Sequence, residues 1–128
     1  MPKAFGRLLR ETRGSVIVEA AFALPIVFLF GFGIMEIGRG MWIQNSLQFA
    51  VEAAARCAAI DSINCGSTGG IQAVAVAAAA GTDVTTSNFA YESLSCGKQV
   101  TATYNFSGNI PGLAAFSPVL TASSCFPT

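Results

Sequence analysis

The chain has 128 residues, of which 52% are hydrophobic and 11% are charged, and its acidic and basic residues are equal in number. It has no histidine, which excludes Ser-His-Asp and Cys-His catalysis, and it has no Cys-x-x-Cys spacing that would favour a zinc site. No basic cluster lies outside the first 14 residues, which argues against nucleic-acid binding, and the sequence predicts no enzyme, metal or cofactor.

The first segment, residues 1–14, has the composition of a cytoplasmic leader. Its four basic residues and one acidic residue give a net charge of +3, whereas the rest of the chain has a net charge of −3. A basic arm before an apolar span places the amino end in the cytoplasm and the remainder on the outer side of the membrane. We expect this leader to be removed from the mature protein.

A membrane-spanning helix is predicted next. The stretch from Val16 to Ile37 is apolar apart from Glu19 and Glu36. These 22 residues would extend ~33 Å as a helix, enough to cross a bilayer core of about 30 Å. Arg39 and Trp42 follow, as is typical of charged and aromatic anchors at an interface. We assign residues 15–38 to the transmembrane and assembly half of a longer helix.

Gly14 and Glu19 form the most specific signal in this part of the chain. A carboxylate inside a membrane helix costs at least ~3 kcal/mol and is by default a candidate functional group. Cleavage after Gly14 would create an amine on Ser15, four residues from Glu19 on the same helical face. Such a pair would neutralise both charges and set the axial register of assembled subunits. The alternative is an uncleaved signal anchor in which Glu19 extends to the headgroups.

Two further features of the apolar half have two interpretations each. Pro25 removes a helical hydrogen bond, and it is either a tolerated kink or a weak point where the helix bends during packing. Glu36 and Arg39 stand three residues apart at the outer boundary, where they form either a local ion pair or a pair between subunits. We include all three residues among the candidate assembly positions.

The helix is expected to continue beyond the membrane to Ile60. Residues 41–60 lack Gly and Pro and contain many good helix formers. Spacings of three to five residues predict one buried face, made of Trp42, Leu47, Ala50, Ala54 and Cys57. The sequence therefore predicts a single long helix over residues 15–60.

Residues 61–128 are predicted to form a small exported α+β domain. Turn residues mark a loop over 61–70, and an alanine-rich helix is expected over Ile71–Ala80, before Gly81. Lys98–Phe106 alternates with a period of two, which predicts a strand with Val100, Ala102, Tyr104 and Phe106 on one face. Ser93–Cys96 and Val119–Cys125 are weaker strand candidates, and Ser107–Leu113 is a loop. We expect a small antiparallel sheet packed on the outer half of the long helix.

The four cysteines all lie in the expected outer part. An even number of cysteines in a short exported region favours disulfides over metal binding. Three pairings are possible, and we favour Cys57–Cys65, which closes a short loop at a helix end, with Cys96–Cys125, which ties two strands together.

Three segments in this order resemble the TadE-like proteins, which are pseudopilins of the tight-adherence (Tad, or type IVc) pilus system. They are Gly14-Ser-Val-Ile-Val-Glu19-Ala-Ala-Phe-Ala-Leu-Pro25, Gly33-Ile-Met-Glu36-Ile-Gly38-Arg39 and Val51-Glu-Ala-Ala-Ala-Arg56-Cys-Ala-Ala. The similarity covers about residues 10–60. Beyond it the chain matches only loosely, chiefly through the alternating strand at Val100–Phe106.

The resemblance implies a pilin-type helix and a structural role in a filament. It makes Gly14 the last leader residue, Ser15 the first mature one and Glu19 the assembly carboxylate. It implies other pilin subunits, a prepilin peptidase and an inner-membrane assembly platform with its ATPase as partners. The chain would occupy the inner membrane and then an extracellular adhesive pilus. The family's main pilins look much shorter, which favours a minor subunit; the alternatives are a main shaft subunit and an uncleaved single-pass binding protein.

Overall fold

The structure is a computed structural model that describes residues 13–108 and 117–128. Most of the predicted leader and most of the predicted loop at Ser107–Leu113 lie outside the described residues. The chain divides into two compact units, Met1–Met35 and Glu36–Thr128. It contains two α-helices, a short 3-10 helix at Thr86–Asn88 and three strands in its described part, so the α+β class predicted from the sequence is confirmed.

Helix α1 runs from Arg13 to Ile60 and is continuous through Pro25. In the first unit its apolar side chains are exposed at every turn, because nothing else in the described chain packs on them. A contact between Phe28 and Phe32, whose ring centroids lie 6.3 Å apart, joins neighbouring turns of the same helix. No described residue of this unit buries that apolar surface, and an exposed apolar surface of this kind is stabilised by an apolar environment.

The second unit folds around the part of α1 that belongs to it, residues 36–60, which we call the outer part of α1. Helix α2 spans Thr68–Ala78, and the strands are β1 (Phe89–Leu94), β2 (Gly97–Asn105) and β3 (Val119–Phe126). The strands form an antiparallel sheet in the order β1-β2-β3. In its register Val100 lies opposite Tyr91 on one side and Ser124 on the other.

One apolar core joins the outer part of α1, helix α2 and the inner face of the sheet. The alternation predicted for β2 is confirmed, since Val100, Ala102 and Phe106 are buried and Tyr104 is half-buried. The other large buried side chains come from all three elements: Leu47, Val51, Ile71 and Phe89. Glutamines cover the two edges of the sheet: Gln44 donates to the Thr121 carbonyl at 2.9 Å, and Gln72 to the Phe89 carbonyl at 2.7 Å.

The buried face of α1 differs from the prediction at one position. Trp42 is 66% exposed, whereas Ile43 is 6% exposed and belongs to the core. Ile43, Leu47, Ala50 and Ala54 follow one another at helical spacing on the face that meets the sheet. Because consecutive residues of a helix point about 100° apart, a buried face that contains Ile43 leaves the neighbouring Trp42 pointing away from the core. The prediction that Trp42 is buried was therefore wrong.

Helix α2 begins three residues earlier than predicted. The Ser67 side chain accepts a hydrogen bond from the Gly70 N–H at 3.2 Å and caps the helix. Gly69 and Gly70 were assigned to the loop, but they lie in the first helical turn. A β-carbon at Gly70 would collide with the Asn64 carbonyl, so glycine is required there by close packing and not by a turn.

Strand β1 also differs from the expectation of a strand at Ser93–Cys96. It begins at Phe89, whose side chain is buried, and ends at Leu94. Leu94 pairs with Gly97, so Ser95 and Cys96 form the tight turn of a hairpin. Gly97 has a φ of +124°, a backbone conformation that residues other than glycine rarely adopt, and it therefore favours the turn at this position. As a result β1 ends at Leu94, two residues before the predicted end at Cys96.

Candidate functional site

The processing candidates Gly14 and Ser15 lie at the beginning of α1, and both are exposed. A β-carbon at Gly14 would meet no heavy atom of the described residues within 4 Å, so packing against residues 13–108 and 117–128 does not require glycine at this position.

Glu19 lies one helical turn after Ser15. Its side chain is exposed and makes no hydrogen bond or ion pair with any residue that the structure describes. Residues four apart on a helix share a face, so an amine created on Ser15 would lie next to this carboxylate. Glu19 is the one ionisable residue between Ser15 and Met35. The segment therefore presents an otherwise uncharged apolar surface with a single acid near its start.

Pro25 lies ten residues after Ser15, inside this apolar surface. Because proline has no N–H, the carbonyl one turn earlier, at Ala21, loses its helical hydrogen bond. The helix nevertheless continues on both sides of Pro25.

Glu36 and Arg39 belong to the second unit and are part of a larger cluster. The Arg39 Nη2 lies 2.6 Å from Glu36 Oε1, so the local ion pair is present. The same nitrogen donates to the Ser107 carbonyl at 2.7 Å. The guanidinium also lies over the Phe106 ring, 4.5 Å from its centroid. Arg39 thus joins α1 to the residues that follow β2.

Electrostatics favours the charged form of Arg39 in this cluster. Its hydrogen bond to Glu36 raises the pKa of the guanidinium above its ordinary value, against a smaller opposing effect of desolvation. The side chains of Arg39 and Glu36 remain 41% and 18% exposed. A surface pair of this kind contributes at most ~1 kcal/mol, so its importance lies in positioning the end of β2 beside α1.

The structure contains both disulfides that the sequence favoured, and all four cysteines are paired. Cys57–Cys65 joins the last turns of α1 to the loop that leads into α2. Cys96–Cys125 joins the β1–β2 turn to the end of β3. Each disulfide therefore closes a different part of the second unit, which we also call the outer unit.

The loop closed by Cys57–Cys65 is organised around Asp61. One Asp61 carboxylate oxygen accepts hydrogen bonds from the backbone N–H groups of Ile63 and Asn64, each at 3.0 Å. The other accepts from the Asn64 side chain at 2.7 Å. These hydrogen bonds hold the pKa of the Asp61 carboxyl below its ordinary value, and the bond from the Asn64 side chain lowers it most. The role of Asp61 is structural, since it turns the chain at the end of α1.

Sequence reasoning missed the partners of Arg39. Phe106 was placed on the inner face of its strand, but its contact with Arg39 spans 67 positions and no local pattern reports it. The Ser107 carbonyl carries no sequence signal at all. Among residues 13–108 and 117–128 there is also no group of His, Cys, Asp and Glu side chains placed to hold a metal ion.

One helix in the described part of the chain, Gly14–Ile60, is long and apolar enough to cross a membrane, and no residue of its most apolar window is buried. Together with the family similarity below, this supports membrane anchoring.

Comparison with known protein families gives a match in the first half of the chain. A family model described as TadE-like protein matches residues 14–56. No curated protein and no solved structure matches the chain. The matched stretch begins at Gly14, includes the Glu19, Pro25, Glu36 and Arg39 positions and ends four residues before the end of α1. The resemblance stated from the sequence is therefore confirmed over this segment: residues 14–56 are similar to TadE-like proteins, which supports an association with a Tad pilus.

Proposed function

We propose that this chain is a pilin-like structural subunit of a Tad-type pilus. It is cleaved after Gly14 by a prepilin peptidase, held in the inner membrane by residues 15–38, and then assembled into a surface filament through the same helix. Its role is structural and not catalytic. The observation that carries the proposal is the first half of α1, which is apolar, exposed on all sides and matched by the TadE-like family.

The charge distribution supports this order of events. The basic leader holds the amino end in the cytoplasm, so the second unit and its two disulfides lie on the oxidising outer side. An assembly platform with an ATPase then moves the subunit out of the bilayer. Neighbouring subunits replace lipid as the cover of the apolar helix, so that its surface is never exposed to water.

Glu19 is the residue that gives this assembly its register. In lipid or in a filament core, the carboxylate and the new amine of Ser15 neutralise each other within one subunit or between staggered subunits. A neighbour displaced by half a turn would leave both charges unpaired. The energetic cost of that error favours one axial arrangement, which is the best-attested use of a buried ionic pair.

The size of the outer unit favours a minor, initiating or tip-associated subunit over a main shaft subunit. The second unit, Glu36–Thr128, has its own core and two disulfides. A unit of this size would decorate or cap a filament and would present a surface for adhesion.

The first test is the mass of the protein purified from native membranes. The expected species begins at Ser15 and is lighter by residues 1–14. Gly14→Val should abolish cleavage, while Gly31→Val is the matched control, because a β-carbon meets nothing within 4 Å at either position. An intact amino terminus in cells with an active prepilin peptidase would overturn the proposal and favour an uncleaved membrane-anchored binding protein.

A second test addresses assembly. Glu19→Gln keeps the size of the side chain and removes its charge, so we expect normal membrane insertion and cleavage with loss of the subunit from sheared filaments. Glu52→Gln is the matched control, since Glu52 is an exposed carboxylate on the outer part of the same helix. Equal incorporation of both variants would contradict the role assigned to Glu19.

A further inference from the structure

One edge strand of the sheet, β3, directs half of its backbone groups away from the sheet. It is last in the strand order and pairs only with β2. The Phe106 N–H donates to the Pro118 carbonyl at 3.0 Å, in the same register as the ladder, and hydrogen-bonded pairs alternate along an antiparallel ladder. Every second residue of β3 therefore directs its N–H and C=O to the free side of the strand. These residues are Val119, Thr121, Ser123 and Cys125.

The second half of this free edge is open in the described part of the chain. At Thr121 the carbonyl accepts a hydrogen bond from Gln44, but no described residue bonds to the backbone groups of Ser123 or Cys125 on this side. Natural sheets usually protect exposed edges with charged side chains, prolines, bulges or a covering element. The strand Val119–Phe126 has no charge and no proline, and its register with β2 is unbroken. The edge at Ser123 and Cys125 is therefore able to accept another strand.

A groove within the second unit lies between the outer part of α1 and this end of β3. Its volume is about 800 Å³. Phe49 and Ile60 of α1 line it together with Phe126 of β3, and all three side chains are exposed. Ala53 is a small residue in the same lining, so the groove has room for a large apolar side chain. Side chains of an added strand alternate between the two faces of the sheet, so one set of them would enter the groove.

The groove also has an unpaired positive charge. Arg56 is the one cation among the described lining residues; it is exposed and makes no hydrogen bond or ion pair with a described residue. The two acids of the lining have hydrogen-bond donors of their own, since Glu52 accepts from Gln48 at 3.0 Å and Asp61 accepts from its own loop. A carboxylate of a bound molecule would therefore find a free guanidinium beside an apolar surface.

We propose that the free edge of β3 binds an extended segment of another polypeptide as a fourth strand, with a large apolar side chain in the groove and a carboxylate at Arg56. In strand addition of this kind, backbone hydrogen bonds supply affinity and the pockets for alternate side chains supply specificity. The Cys96–Cys125 disulfide holds this end of β3 in place, so binding orders little of the receiving surface.

The surroundings of the edge favour an extended segment over the folded second unit of another copy. The Gln44 bond to Thr121 and the groove both place α1 beside the free edge of β3. The same edge of a second copy has its own α1 beside it, so pairing of the two edges would bring the two helices into collision. The inference concerns the second unit alone and goes beyond the proposed function, because it depends on neither cleavage nor assembly.

Titration of the full chain in detergent micelles with synthetic peptides tests the site. The probes are short peptides in which threonine alternates with valine, leucine or phenylalanine, each made with a free carboxyl terminus and with an amidated one. Backbone amide signals and their hydrogen exchange are followed by NMR. We expect slower exchange of the Ser123 and Cys125 amide protons on binding. Peptides that are N-methylated at alternate positions have lost the strand's donors and should not bind.

Two protein variants separate the edge from the charge. Ser123→Pro removes an edge N–H, and proline is tolerated on the free side of an edge strand, so binding should weaken by about tenfold. Ser93→Pro is the matched control on β1 and should leave binding unchanged; Ser93 opposes Lys98, whose backbone groups point to β3, so its own point to the free side. Arg56→Gln should weaken binding of the carboxylate peptides by up to about fivefold and leave the amidated ones unaffected.

Several results would overturn the inference. Absence of binding by every peptide, equal binding of the N-methylated forms, or equal losses in Ser123→Pro and Ser93→Pro would exclude strand addition at β3. Equal binding of amidated and carboxylate peptides would overturn the role of Arg56. Dimers that form without peptide and protect the same amides would assign the edge to a second copy instead. None of these results bears on the amino terminus or on Glu19, so the proposed function would stand or fall by its own tests.

Discussion

Removal of the two disulfides separately should destabilise the outer unit by different amounts. The sequence separation is 8 residues for Cys57–Cys65 and 29 for Cys96–Cys125. In the chain-entropy description, closing loops of these lengths lowers the entropy of the unfolded chain by amounts equivalent to ~2.5 and ~3.6 kcal/mol at 25 °C. The longer loop is therefore expected to contribute about 1 kcal/mol more to the free energy of unfolding.

Simple replacement by alanine would obscure this difference. Cys65 is only 3% exposed, so its truncation also removes packing that is worth ~1 kcal/mol, whereas Cys96 is exposed. A better design keeps one disulfide in each double variant and compares its oxidised and reduced forms. Reduction should cost ~3.6 kcal/mol in Cys57→Ala/Cys65→Ala and ~2.5 kcal/mol in Cys96→Ala/Cys125→Ala.

Urea unfolding of the full chain in detergent micelles measures these differences. Near-ultraviolet circular dichroism of Tyr91 and Tyr104, both half-buried against the core, reports on the outer unit, while the exposed Trp42 is a poor probe. A control variant in which all four cysteines are replaced should show no change in its urea midpoint on addition of reductant. A larger loss on reduction of the short loop than of the long one would refute the entropic argument. It would then follow that Cys57–Cys65 acts mainly by holding the end of α1 in the native state.

Three other changes test individual contacts. Ile43→Ala should lower the free energy of unfolding by ~2–5 kcal/mol and the neighbouring Trp42→Ala by less than ~0.5, because only Ile43 is buried; equal urea midpoints would contradict the assigned helix face. Arg39→Ala should lower the free energy of unfolding by ~1 kcal/mol in the same assay. Arg39→Lys should restore little of that stability, since lysine cannot contact Glu36, the Ser107 carbonyl and Phe106 together. Full restoration by lysine would show that only the positive charge of Arg39 matters. The pKa of Asp61 is lower in the folded than in the unfolded state, so its contribution to the free energy of unfolding is present above the unfolded pKa and is lost as the pH falls through the folded pKa. Below about pH 4 the melting temperature should therefore decrease less steeply with falling pH in Asp61→Asn than in the wild type. Parallel plots of melting temperature against pH for the two proteins would contradict this.

The elements predicted correctly are those whose signal is local and strong. A run of 22 apolar residues and an adjoining stretch without glycine or proline define α1, and strict alternation defines β2. Of the three possible disulfide pairings, the one favoured from the elements on which the cysteines lie is the one present. In each case the residues that carry the signal also make the structure, so composition and spacing were sufficient.

The errors arise where local preference and tertiary context disagree. Gly69 and Gly70 are poor helix formers, each costing about 1 kcal/mol in a helix interior, yet both lie in the capped first turn of α2. At Gly70 the reason is that only glycine fits beside the Asn64 carbonyl. Trp42 has the hydrophobicity of a core residue but lies one position away from the buried face. Neither fact can be derived without the positions of the neighbouring elements, since both depend on what packs against the helix.

The two units differ in where their stability comes from, and the magnitudes decide which environment the chain requires. The second unit buries its own core, and domains of its size are stable by ~5–15 kcal/mol. In the stretch from Val16 to Ile37, fourteen large apolar side chains are 51–74% exposed. Covering that surface is worth about 20 kcal/mol, because each such side chain contributes ~1.5–3 kcal/mol on full burial. This gross free energy of burial is of the same order as the net folding stability of the outer unit or larger, so covering the first half of α1 with an apolar environment is as important to the energetics of the chain as the folding of the outer unit.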